Sequence, residues 1–337
     1  MALNRHRRRL IWMLALAIVA SLAVPFLLGG RSLLQNLPKI RADWLALMIG
    51  MVLLGWVFNS FRMQILAKGM GSRLPAGWRL GAVIATEFAG AASPAGAGGA
   101  LTYVALLKQK GIRTAHAAAM YAIDHFMDGV FFAVAFPVAL LSLALHGGFS
   151  DPAWLVAVTL SLFGLGAVVF WLLLRQHRLL IQLLGRVLNP FRLSVHRQRR
   201  LARWLMQFRQ GVRLVLQLPR WQLLLLFMFC AAHWLLRYSI LAVVISLIGA
   251  SVPWSYLFAV QGVLLLFGQI SVLPGGAGGV ELGYAALLAP FLDVASIGFS
   301  LLLWRLMTYH FYLVAGLPVF LMMLGGRAWR LLSPADR

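Results

Sequence analysis

Long stretches of this chain carry almost no charge, and that fixes what it can fold into. Leu10 to Leu28, Ala153 to Leu174 and Trp221 to Ile248 are apolar runs. Each is long enough to cross a hydrocarbon core of about 30 Å, which takes about 20 helical residues. Over the 337 residues, 62% are hydrophobic and 11% charged. A soluble domain of that size does not stay apolar over such lengths, so the chain reads as a membrane protein crossing the bilayer several times.

Positive charge then sets the topology. The sequence has 30 Lys and Arg against 8 Asp and Glu. A net charge of +22 raises nucleic acid as a partner, but no soluble part remains to carry a reading surface, and nucleic-acid binding is not expected. Arg and Lys collect instead in cytoplasmic loops. From Arg175 to Arg220 there are eleven Arg and no acid, interleaved with Leu179, Leu183, Trp204 and Phe208. This predicts an amphipathic segment lying on anionic lipids of the inner leaflet.

Six spans are predicted, at about 10–28, 44–66, 114–145, 153–174, 221–248 and 297–324. Two further segments, about 80–107 and 255–289, are interrupted by Ser93 to Gly99 and by Pro274 to Gly279. If both crossed, Lys108, Lys110, Arg113 and the eleven arginines would face outside, against the positive-inside tendency. If both dip in and return, 24 Lys and Arg lie inside. The prediction is an all-α polytopic protein of six transmembrane helices plus two re-entrant hairpins, both termini cytoplasmic. The basic N-terminus before span one reads as an uncleaved start.

The two interruptions match. Pro94, Gly96, Ala97, Gly98 and Gly99 align with Pro274, Gly276, Ala277, Gly278 and Gly279 at a constant offset of 180. Met127, Phe131 and Val134 meet Met307, Phe311 and Val314. With a small gap, the stretch around Arg62 resembles that around Arg237. The chain is then a single membrane domain, 1–337. Residues 44–145 form repeat 1, 175–220 the basic segment, and 221–325 an inverted repeat 2. Gly/Pro breaks at matching places of inverted halves point to a transporter's binding site. Glycines that only let helices pack closely are the alternative.

The Pro-Gly-Gly-x-Gly-Gly-x-Glu run from Pro274 to Glu281, its weaker copy at Pro94, and Arg305 in the final span resemble the membrane region of the lysylphosphatidylglycerol synthase family. That family includes the flippase half of the bacterial multiple peptide resistance factor and stand-alone relatives. The resemblance covers about residues 10–325. It implies a bacterial inner membrane protein moving phospholipids or aminoacylated phospholipids between leaflets. No soluble domain for aminoacyl transfer from tRNA is present in this sequence, so synthesis is not implied.

Arg62, Glu87, Asp124, Asp128, Arg237, Glu281 and Arg305 fall in or beside membrane segments, joined by His125, His233 and His310. Each charge at the bilayer centre costs about 2.5–3.5 kcal/mol, so seven unpaired would cost on the order of 20 kcal/mol. They must pair, protonate or face water. Arg62 with Arg237 or Arg305 is expected to receive lipid phosphate from each leaflet, in one polar cluster per mouth, because a guanidinium fork binds phosphate through two hydrogen bonds. Snorkelling is the alternative for Arg62. Asp124 and Asp128, one turn apart, repel, and one is expected to be protonated or paired with Arg62 or His125. That leaves proton coupling and a fixed ion-pair network both open. Glu281 either caps the returning half-helix or grips a cationic headgroup, and Glu87 offers the same grip. The Pro94, Gly96, Gly98, Gly99, Pro274, Gly275, Gly276, Gly278 and Gly279 turns present backbone N–H groups suited to anions.

No nucleophile elbow, P-loop or metal-ligand spacing is present, so neither an enzyme nor a cofactor is expected. The lone Cys230 has no disulfide partner in this chain. Trp12, Trp44, Trp154, Trp221, Trp254 and Trp329 read as interfacial anchors. The leading expectation is lipid translocation, with a proton-coupled transporter of a small anionic solute or metabolite as its rival. A lipid- or partner-docking scaffold built on Arg175–Arg220 is a third class. A homo-oligomer is compatible with each.

Overall fold

The computed structural model describes residues 2–36, 41–145 and 195–332. Among these the chain is all helix. Five helices are long and apolar enough to span a bilayer: α1 (Ala2–Asn36), α2 (Ala42–Gly69), α5 (Thr114–Leu145), α7 (Arg220–Leu247), and α10 (Val294–Arg305) running on into α11 (Phe311–Leu332). These match five of the six predicted spans. The sixth, 153–174, and Trp154 lie outside the described residues. Large apolar side chains point outward along them, among them Trp12, Leu27, Val134, Leu145, Met228, Val314 and Met322. An outer surface of this kind belongs in lipid, and the protein is a polytopic membrane protein.

The two interrupted segments are helix–turn–helix units. The first is α3 (Ala76–Ala91), a 3-10 turn at Pro94–Gly96, and α4 (Ala97–Gln109). The second is α8 (Trp254–Ile270), a 3-10 turn at Pro274–Gly276, and α9 (Gly279–Leu288). The arms have 16 and 13 residues in the first and 17 and 10 in the second. At 1.5 Å per residue the longest is about 26 Å and the shortest about 15 Å, each under the ~30 Å of a hydrocarbon core.

The turns share one backbone plan at the sequence offset of 180. Ser93 and Leu273 are extended before a proline. Then come two consecutive left-handed residues, Ala95 (φ 49°) and Gly96 (φ 70°) in one, Gly275 (φ 63°) and Gly276 (φ 69°) in the other. Proline starts each turn because its fixed φ suits a first helical position and its missing N–H costs nothing there. The two turns touch each other.

Close packing around them rests on small residues, as in membrane proteins generally. A Cβ at Gly98 would sit 2.4 Å from the Ala89 carbonyl oxygen, and one at Gly276 would sit 2.7 Å from Gly268 Cα, so these glycines join the arms of their own hairpins. Gly298 of α10 lies against the backbone of Pro25 and Gly29 in α1, and Gly316 of α11 against Phe88 in α3. α2 and α7 pack along each other, while α6 (Val195–Leu216) packs on α5. The close-packing role of glycine thus holds at Gly98 and Gly276, alongside the turn role at Gly96 and Gly275.

In α6 the apolar face is buried at Phe208, Val212 and Val215, with Trp204 stacked on Phe208. Arg203 and Arg213 are exposed. Val195–Leu216, within the basic segment, is an amphipathic helix. Residues 175–194 lie outside the described residues.

Candidate functional site

A cavity of about 390 Å³ lies where the hairpins meet. Its wall takes in Glu87, Gly90, Ala95, Gly96 and Gly99 from the first hairpin and Gln261, Gly268 and Gly275 from the second. Arg62 and Asn59 come from α2, Tyr121, Asp124, His125 and Asp128 from α5, His233, Trp234 and Arg237 from α7, and Arg305, Tyr309 and Tyr312 from the last span. Of the residues expected at a site, Arg62, Glu87, Gly96, Gly99, Asp124, Asp128, Arg237, Gly275 and Arg305 line it. Pro94, Gly98, Pro274, Gly276, Gly278, Gly279 and Glu281 stand behind that wall, shaping the turns and helix starts.

The charges form pairs of different kinds. Arg62 does not snorkel: its side chain is 3% exposed. Its Nη2 lies 2.8 Å from Asp124 Oδ1 and 2.7 Å from Asp128 Oδ1. Nη2 donates to Asp128 and to the Asp124 backbone oxygen, and Nη1 donates to Asn59 Oδ1. Asp128 Oδ1 also accepts from Trp234 Nε1 at 2.9 Å and Cys230 Sγ at 3.2 Å. Arg305 pairs with Glu281 at 2.6 Å, the two side chains being 6% and 0% exposed. The pair Arg237–Glu87 is looser, at 3.7 Å, and both side chains are 26% exposed.

Glu281 takes the capping role. Its Oε2 accepts from the Gly278 N–H at 2.6 Å, and its Oε1 accepts from Arg305 Nε at 2.7 Å. Fully buried and committed on both oxygens, it offers a ligand no surface. Of the two roles open for Glu281, cap or grip on a cationic headgroup, the geometry favours the cap. Inside a low-dielectric interior each charge of such a buried pair needs the other, and breaking it would leave the partner uncompensated.

The expectation of one polar cluster per mouth also gives way. Arg62, Asn59, Glu87 and Arg237 form one continuous line. Asn59 accepts from Arg62 and donates to Glu87 at 3.1 Å, and Glu87 faces Arg237. The reason is tertiary: α2 and α7 lie side by side, so Arg62 and Arg237 reach the same chamber. His233 belongs to this line as a neutral ring. Its Nδ1 can only donate to the Gly55 carbonyl, 3.2 Å away, and its Nε2 faces the Asn59 amide donor at 3.5 Å.

Arg237 is the guanidinium with the most open surface on this chamber among Arg62, Arg237 and Arg305. It donates to the Tyr312 hydroxyl at 3.0 Å and lies 4.7 Å over the Tyr312 ring. Those contacts hold it toward the cavity while its distant carboxylate leaves donors free. Tyr309 closes the chamber beside the second turn. Its hydroxyl reaches the Pro274 carbonyl at 3.4 Å, and its ring covers Gly275. A π-helical turn at Leu306–His310 sets that register in the last span.

Sequence reasoning missed Asn59, Trp234 and Tyr312. Asn59 had a usable signal, an amide one helical turn from Arg62 in an apolar run. Tyr312 and Trp234 had none, since aromatic residues abound in every span.

A "UPF0104 membrane protein" of the archaeon Archaeoglobus fulgidus is 25% identical over 280 residues, covering 80% of this chain and 84% of that relative. The profile of the lysylphosphatidylglycerol synthase TM region matches residues 12–316, which take in both hairpins and every charge of the chamber. The chain belongs to the lysylphosphatidylglycerol synthase TM region family.

Proposed function

We propose that this protein translocates lipid between leaflets, with the headgroup passing through the chamber between the hairpin tips and the tails remaining in the bilayer. One observation carries the reading: a charged cavity, walled by Arg237 and Glu87, sits among helices whose outer faces are apolar. At about 390 Å³ it is at the small end of ligand sites, which run about 300–1,000 Å³. That size suits a headgroup and not a whole lipid. Arg237 presents a planar donor fork to a phosphate, and Glu87 stands beside it for an amine.

The layout that goes with this reading has both hairpins re-entrant and inverted, both termini cytoplasmic, and the protein in a bacterial inner membrane. Hairpin arms shorter than the hydrocarbon core support it, as does the positive-inside distribution. Non-helical backbone at such depth is tolerated where it lines a wet cavity, and both turns do. The basic face of α6 then rests on anionic inner-leaflet lipid.

The test is a leaflet-resolved transport assay in reconstituted vesicles with several headgroups. Wild type moves phospholipid. Arg237→Ala lowers the rate about ten- to hundredfold, the worth of a charge-assisted hydrogen bond of about 1.5–3 kcal/mol, and Arg237→Lys recovers part of it. Movement of a small soluble anion with no lipid transport would favour the solute carrier and overturn this reading.

A further inference from the structure

Two of the chamber's guanidiniums have one carboxylate each: Arg305 with Glu281, Arg237 with Glu87. Arg62 has two, Asp124 and Asp128. This site is therefore one positive charge short, and it lies inside a membrane protein where an uncompensated charge is costly. The donors show which carboxylate is short. Arg62 Nη2 has two hydrogens, and both are used, on Asp128 Oδ1 and on the Asp124 backbone oxygen. Asp128 Oδ1 also takes the indole of Trp234 and the thiol of Cys230. Asp124 Oδ1 lies 2.8 Å from Nη2 yet accepts no hydrogen bond.

A second observation points to the same place. The Tyr103 hydroxyl has no partner, although the residue is 4% exposed and lines the cavity. Arg62 Nε is likewise buried without a partner. A polar atom buried without a partner calls for a reason, such as water, an ion or a catalytic role, and Thr86 Oγ1 and the Tyr238 hydroxyl elsewhere in the wall share that state.

The geometry points to Asp124 as a proton-exchange site that couples transport to the proton gradient. An O–H bond forms on the Asp124 carboxyl with a proton taken from hydronium in the cavity, which leaves water. On release the proton returns to water as hydronium, and the carboxylate left behind shares Arg62 with Asp128. The groups facing Asp124 are Arg62 from α2, Tyr103 from α4, Cys230 from α7, and Tyr121, His125 and Asp128 from its own helix. Glu87 of α3 shares the cavity wall, α8 contributes the uncharged Gln261 there, and α6 packs further back, against His116 and Ala119. His125 is exposed and stacks on Tyr121, with ring centroids 4.0 Å apart. This assignment names the energy source of the lipid transport proposed above and rests on that reading for its transport arm only.

The test has two arms on the full-length protein in vesicles of phosphatidylethanolamine and phosphatidylglycerol. Infrared difference spectroscopy at neutral pH reads protonated carboxyl groups directly. Wild type shows one such band. Asp124→Asn removes it, Asp128→Asn removes it by leaving Arg62 a single carboxylate, and Glu87→Gln and His125→Gln keep it. In the transport arm, an imposed pH difference shifts the steady-state lipid distribution about tenfold per pH unit for one proton per cycle, and the Asp124→Asn response is flat. The assignment is overturned if wild type lacks the band, if Asp124→Asn keeps it, if His125→Gln alone abolishes it, or if the band appears only when sodium is withdrawn. Should no lipid move in any preparation while the band behaves as stated, the transport reading fails and the proton site stands.

Discussion

The two hairpins have the same turn and different fastenings. Each places a proline and two left-handed residues at positions 180 apart. The first is held by Ser93, whose Oγ accepts from the Gly98 N–H at 2.7 Å. The second has Leu273 at that position, restarts its helix two residues later, and is held by Glu281, which caps Gly278 and is locked to Arg305. The position matching Glu281 in the first hairpin is Leu101, 73% exposed. One tip is tied by a neutral hydrogen bond, the other by a buried ion pair anchored in the last span. If transport requires one tip to move against the other, the lightly tied first hairpin is the mobile partner and the second is the frame.

Breaking the stronger fastening gives the largest effect. Arg305→Ala leaves Glu281, at 0% exposure, without its ion-pair partner. Removing one partner of a buried pair costs about 3–5 kcal/mol, read as a lowered melting midpoint in detergent. An unchanged midpoint would mean the ion pair is not what holds the second hairpin.

The turn itself comes next. At Gly275 a Cβ would sit 2.2 Å from Tyr309 Cε2, at φ 63°. The strain and overpacking of Gly275→Ala together cost about 2–5 kcal/mol. The first hairpin already carries alanine at the matching place, Ala95, with φ 49°. The same substitution is thus native in one repeat and disruptive in the other, and the Tyr309 ring is the difference. Ser93→Ala is the mildest, about 1 kcal/mol for a lost cap. A loss as large as that of Arg305→Ala would erase the contrast between the two hairpins.

What the sequence revealed was local. Proline and glycine must sit where a chain turns inside a helix, so both turns and their offset of 180 were readable. Five spans were readable because a bilayer demands unbroken apolar length. The pairing of Arg62 with Asp124 or Asp128 was within reach because intramembrane charges must find partners. What failed was tertiary. Nothing local says that α2 and α7 run together, so Arg62 and Arg237 were assigned to separate mouths, whereas Asn59 and Glu87 connect them. Glu281 was ambiguous for the same reason: a carboxylate at a helix start serves a cap or a ligand equally well until Arg305 is seen to occupy it.

The central claim is that the hairpins enter from opposite faces and return. Lys110, exposed at the end of α4, decides it. In a Cys230→Ala background, Lys110→Cys and Ala289→Cys are probed with a membrane-impermeant maleimide in intact cells. The account predicts labelling at position 289 from outside and at position 110 only after the membrane is opened. Labelling at position 110 in intact cells would mean that the first hairpin crosses, and the opposed-hairpin chamber would be wrong.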